Sequence, residues 1–228
     1  STQTYTGAVT LTGTTTLATT SAQVTFSDTV NSEGSETNNL TVTASETEFN
    51  GVVGGTRTLG VMDINGTLDL NAAISAATSI DVSSTSNIGA NITTTGNQTY
   101  TGAVTLSGGD RTLTGSTVNF VSTLAGGTNA LTVTGNLDLD DAATGLTTLD
   151  VSGTSNLGAN VTTSSTQTYT GAVTLSGGDR TLTGSTVNFV STLAGGTNAL
   201  IITGNLDLDG AATGRSEEHT SELQSPCN

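Results

Sequence analysis

The chain has 228 residues, 19 of them acidic against four basic, and carries a net charge of −15 with seven aromatic side chains in all. That balance excludes nucleic acid as a partner, because such binding depends on neutralising phosphates with Lys and Arg. The only His, Pro and Cys fall after residue 214, so residues 1–214 also lack the side chains from which most catalytic and disulfide-based designs are built.

The chain opens on Gln3-Thr-Tyr-Thr-Gly-Ala-Val-Thr-Leu11, and this motif returns at Gln98–Leu106 and Gln167–Leu175. In Tyr100–Leu106, Tyr100, Gly102, Val104 and Leu106 share one side while Thr101, Ala103 and Thr105 share the other, the period of two expected of a strand. Val118 and Phe120, Leu131 and Val133, Leu137 and Leu139, Leu149 and Val151, and Leu157, Ala159 and Val161 alternate in the same way. Gly, Asn, Asp and Ser punctuate these runs, and no helical period competes with them. Residues 1–214 contain no Pro, which suits continuous backbone pairing. No apolar stretch approaches the length of a membrane span, so direct membrane insertion of this segment is not expected.

Gln98–Gly145 recurs as Gln167–Gly214, 69 positions later, and only Thr132/Ile201, Val133/Ile202 and Asp141/Gly210 differ. The step from the first motif to the second is 95 residues, and the extra material carries a second Phe, Phe49, 23 residues after Phe26. Since 69 is three times 23, the spacing predicts coils of about 23 residues that are gained or lost whole, as in a parallel β-solenoid. The expected organisation is one solenoid over 1–214, with units 1–97, 98–166 and 167–214. The alternative is a string of immunoglobulin-like β-sandwiches, for which units of this size are acceptable but bulky core aromatics are scarce.

At Gly214 the repeat stops, and Arg215–Asn228 resembles the in-frame translation of a sequencing-adapter oligonucleotide. This stretch is expected to be foreign to the repeat and disordered. Ser1-Thr-Gln3 matches Ser165-Thr-Gln167, so the chain is expected to be an internal segment of a longer protein.

The recurring Gln-Thr-Tyr-Thr-Gly-Ala-Val-Thr-Leu, Thr-Leu-Thr-Gly-Ser-Thr-Val-Asn-Phe and Ala-Leu-Thr-Val-Thr-Gly-Asn-Leu-Asp-Leu segments resemble the β-strand repeats of filamentous-haemagglutinin-like adhesins and autotransporter passengers of bacteria. That resemblance covers Ser1 to Gly214. It implies a right-handed parallel β-helix, export by type V secretion to the outer-membrane surface or the medium, and a role in adhesion or biofilm structure. The partners it implies are host or cell-surface glycans and proteins, or neighbouring adhesin molecules. It supplies no catalytic residues and no cofactor.

Asp138, Asp140, Asp207 and Asp209 are the candidate metal ligands, with Asp141 and Asp69 nearby in the pattern, because alternation puts Asp138 and Asp140 on one outward side and Ca²⁺ takes hard oxygen donors. The competing reading is solvated carboxylates that keep the rod soluble, and the replacement of Asp141 by Gly210 in the second copy favours it. Ser107-Gly-Gly-Asp-Arg111, with its copy Ser176–Arg180, is superficially similar to glycine- and aspartate-rich calcium turns. It reads better as a tight turn with Asp110 paired to Arg111 or to a neighbouring coil. Gly54-Gly55 and Gly126-Gly127 also read as turns. The Thr-x-Thr triplets Thr4/Thr6, Thr99/Thr101 and Thr168/Thr170 raise ice binding as a remote alternative. Asn-x-Thr sequons stand at Asn39, Asn65, Asn91, Asn97 and Asn160. Enzymatic activity is not expected, since a β-helix enzyme needs a convergent set of unlike side chains.

Overall fold

The computed structural model describes residues 1–214; the expectation for 215–228 lies outside them. Its strands run from Gln3–Tyr5 to Ala212–Thr213, with no helix among the described residues. The strands form a parallel β-solenoid of about 11 coils. Every strand pairing is parallel, which rules out the sandwich alternative. At about 4.8 Å per coil the stack is roughly 50 Å long.

Each coil has three flat faces joined by corners. Gln3–Tyr5 begins the first face, Val9–Leu11 the second and Thr15–Ala18 the third, after which Gln23–Phe26 returns to the first. Alternation holds within each face: Val118 and Phe120 are buried while Asn119 between them points outward, and Leu137 and Leu139 flank outward Asp138 in the same way. Of the residues placed on the apolar side, Gly102 and Ala159 are only half-buried, because both sit at corners between strands.

The coil length differs from the expected 23. Phe26 does pair with Phe49 one coil later. Further along the stack, however, Tyr100, Phe120, Leu139 and Leu157 follow one another on the third face in coils of 20, 19 and 18 residues. The average coil is about 20 residues. A face needs only a short strand, and the rest of the length lies in corners that lengthen without disturbing the ladders. The corner after Val30–Ser32, for example, makes the coil from Thr15 to its partner Leu40 25 residues long.

Shorter coils change the meaning of the 69-residue repeat. From Tyr100 three complete coils reach Leu157, and two more faces, Val161–Thr163 and Thr166–Tyr169, are crossed before the motif recurs. Tyr100 lies on the third face and Tyr169 on the second, where it pairs with Val151 and Phe189. Tyr5 is on the first face. Successive copies are therefore turned by one face. The first unit is longer by one whole coil, as expected, because its Phe49 adds one member to a stack that elsewhere has two.

All seven aromatic rings belong to these stacks. Tyr5, Phe26 and Phe49 lie with ring centres 5.2 and 4.9 Å apart, and Tyr100–Phe120 and Tyr169–Phe189 are each at 5.4 Å. Near-parallel, offset packing of this kind adds to the burial of ring area at the core. Above and below the rings the inner columns are Val, Leu and Ile, nearly all fully buried.

Candidate functional site

In the second and third Gln-Thr-Tyr motifs the first residue is buried with the third, and in the first motif both are half-buried. Gln98 and Tyr100 are both fully shielded, and the Tyr100 hydroxyl donates to Gln98 Oε1 at 3.0 Å. Gln98 Nε2 in turn donates to the Thr114 carbonyl at 2.8 Å, so the amide ties two coils together inside the core. Gln167 and Tyr169 repeat the arrangement at 3.0 and 2.8 Å, and Gln3 and Tyr5 share the first bond at 3.1 Å. Burial pushes the Tyr100 and Tyr169 phenols far up, which keeps them neutral donors. Sequence reasoning missed this pair; its signal is a Gln two residues before a core aromatic, on the inward side of the strand.

The middle Thr of the motif points outward and belongs to a polar ladder with one residue per coil. On the third face the ladder runs Asp63, Asp81, Thr99, Asn119, Asp138, Asn156 and Thr174. On the second face Asp150, Thr168, Asn188 and Asp207 follow the same order, and on the first face Thr4, Thr25, Glu48, Asp69, Asn87 and Thr105 give a variant of it. Asn156 Nδ2 donates to Asp138 Oδ1 at 2.9 Å, and Asn87 Nδ2 to Asp69 Oδ1 at 2.8 Å. Thr25 and Gln23 both donate to Glu48. The Oδ1 atoms of Asn119 and Asn188 are shielded from solvent and have no hydrogen-bond partner among the described residues.

These ladders place the four aspartate candidates. Asp138 and Asp207 occupy equivalent rungs on different faces, and Asp140 and Asp209 stand just past the ends of Leu131–Leu139 and Leu200–Leu208, at the corners. Partial burial, with the charge of Asp138 as the lesser cause, raises the Asp140 carboxyl above its ordinary range. Asp141 Oδ1 accepts the Ala142 N–H, and Asp69 lies on the first face. The copies thus point in different directions, and no group of three acidic, His or Cys side chains comes together among the described residues. A like-charge stack on the third face was not singled out from sequence. Asp63 and Asp81 are rung partners, and partial burial followed by the charge of Asp63 raises Asp81.

The Ser107–Arg111 loop is a turn whose Gly108 and Gly109 have φ of 70° and 120°. Arg111 folds back to donate to the Ser107 carbonyl at 2.9 and 2.6 Å, whereas Asp110 Oδ1 accepts the Ala130 N–H of the next coil at 2.8 Å. Of the two partners considered for Asp110, the neighbouring coil is the one it engages. Asp179 does the same with Ala199 N–H, and Arg180 folds onto Ser176. Gly54-Gly55 and Gly126-Gly127 also lie in bends or turns.

Beside the second of these, Asn129 Nδ2 bridges the carbonyls of Leu106 and Gly126, and Asn198 and Asn38 reach Leu175 and Leu11 in the same manner. The sequon residues Asn39, Asn91 and Asn160 use Oδ1 to accept a backbone N–H of the next coil, from Val61, Thr112 and Thr181. The three Thr-x-Thr triplets fall on three different faces and form no single array. No helix of the described residues is long and apolar enough to cross a membrane.

Compared with known proteins, the chain matches no family model, no curated protein and no solved structure.

Proposed function

We propose that this segment is a stalk, with adhesive repeats, of a large bacterial cell-surface or secreted adhesin carried outward by type V secretion, and that it performs no catalysis. The observation that carries the reading is the rotation of the repeats: polar ladders face three directions along one stack, two of them near-identical and the third a variant. Catalysis requires unlike groups to converge on one reacting centre. Here like groups diverge, which suits a rod offering weak, repeated contacts on every side. The strand-repeat resemblance supplies the location, and it names glycans, surface proteins or neighbouring adhesin molecules as partners.

The test uses cells producing the parent protein. Antibody raised to residues 1–214 should label intact cells, and removal of the unit 98–166 should shorten the reach by about 18 Å, at about 4.8 Å per coil, without abolishing attachment. Labelling only after permeabilisation would refute the location. Complete loss of attachment with normal surface display would refute the stalk and make the unit a dedicated binding module.

A further inference from the structure

Residues 1–214 contain two Asn-Gly pairs, Asn50-Gly51 and Asn65-Gly66, and the fold treats them in opposite ways. Asn65 is half-buried inside the strand Leu59–Leu70, paired with Thr43, and the Gly66 N–H donates to Ser83 Oγ at 3.1 Å. Asn50 is exposed at a corner, just past the end of Leu40–Phe49. Among the described residues no hydrogen bond engages the Gly51 N–H, while Asn71 Nδ2, one coil on, donates to Asn50 Oδ1 at 3.0 Å.

We propose that Asn50 is a site of spontaneous deamidation and that Asn65 is shielded from the same chemistry. The Gly51 amide nitrogen, losing its proton to solvent base, attacks Asn50 Cγ, and the electrons of the C=O bond move onto Oδ1. The Asn71 N–H is already aimed at that oxygen and stabilises the charge that develops there. The oxyanion then collapses, the Cγ–Nδ2 bond breaks, and ammonia leaves after taking a proton from water. The resulting succinimide is opened by one water molecule at either carbonyl, giving aspartate or isoaspartate. At Asn65 the nitrogen that would attack is held in a hydrogen bond, and the peptide is fixed in a ladder that must open before the ring can form.

The product changes the rod locally. Either form adds a negative charge at the corner, and isoaspartate also lengthens the backbone by one methylene beside Gly51. That glycine packs so closely on the Asp28 backbone that even a Cβ would overlap it. Conversion therefore loosens the contact between the coils of Phe26 and Phe49, marking aged molecules.

The experiment incubates the whole chain in mildly alkaline buffer made with heavy-oxygen water and follows both sites by peptide mass spectrometry. In the folded chain, label should enter at Asn50 at least about tenfold faster than at Asn65, the factor expected if strand opening costs about 1.4 kcal/mol. In urea the two sites should convert at similar rates. Asn71→Leu should slow Asn50 while leaving the far-ultraviolet circular dichroism unchanged. Equal rates in the folded chain, or an inert Asn50 alongside conversion of both sites in urea, would overturn the proposal. An unchanged rate in Asn71→Leu would remove Asn71 from it.

Discussion

Gly135 lies within Leu131–Leu139 where that strand bends from the second face to the third, and its φ is 136°. Replacing it with Ala imposes two separable costs. The backbone conformation is one that L side chains rarely adopt, worth about 1–3 kcal/mol. In addition the new Cβ would overlap the Gly115 carbonyl oxygen of the preceding coil, a backbone atom that no rotamer change can move. Relieving the overlap requires these two coils to part, which endangers bonds between them such as Asp140 N–H to Phe120 O at 3.0 Å, each worth about 0.5–1.5 kcal/mol.

Two further glycines separate these costs. Gly109 has φ of 120° but only the Arg111 guanidinium, in ordinary contact at 3.8 Å, near a built Cβ, so Gly109→Ala carries the conformational cost alone. Gly153 has no positive φ, yet its Cβ would overlap the Gly135 carbonyl, so Gly153→Ala carries the overlap alone. The expected losses are about 1 kcal/mol for Gly109→Ala, about 2 kcal/mol for Gly153→Ala and at least about 3 kcal/mol for Gly135→Ala. Urea unfolding followed by circular dichroism measures them, provided the slope is unchanged across the series. A Gly109→Ala loss equal to that of Gly135→Ala, or Gly135→Ala and Gly153→Ala both within about 0.5 kcal/mol of the parent, would refute the close-packed bend.

Tyr100→Phe removes the donor to buried Gln98 Oε1 and should cost about 1–2 kcal/mol; in a cycle with Gln98→Leu the double variant should lose less than the two singles together, and strict additivity would count against the buried pair. Ser155 sits inside the core between Leu137 and Val173 with its hydroxyl unpartnered, so Ser155→Ala should raise stability by about 1 kcal/mol, and a lowered melting temperature would show that the hydroxyl is satisfied. Asp81 has a raised folded-state pKa, so it favours the folded chain below the ordinary carboxylate range and opposes it once pH rises through that folded pKa. Asp81→Asn should therefore raise the melting temperature at neutral pH by an amount that shrinks on acidification; a gain that is constant with pH would exclude the charge effect.

Much of the fold was legible because alternation is local. Val118-Asn-Phe120 and Leu137-Asp-Leu139 reveal their inward sides residue by residue, and that alone gives strands and a common core. The whole-coil insertion was legible too, since Phe49 repeats Phe26 and the two rings stack. The ladder neighbours of the aspartates were not. Asp138 meets Asn156 only because 18 residues close that coil, and a coil of 23 would have set another residue beside it.

The sequence by itself therefore determined the strands, the buried side of each, the stacking of repeats and the chemistry offered outward. The tertiary structure alone decided how many residues close a coil, and hence that the three copies face three ways. The reason is that side-chain alternation resets at every strand, whereas position around the axis accumulates over every corner. Corners vary in length with little change in composition, and only the hydrogen-bond register between successive coils, seen in pairs such as Tyr100 with Phe120 and Val151 with Tyr169, fixes the count.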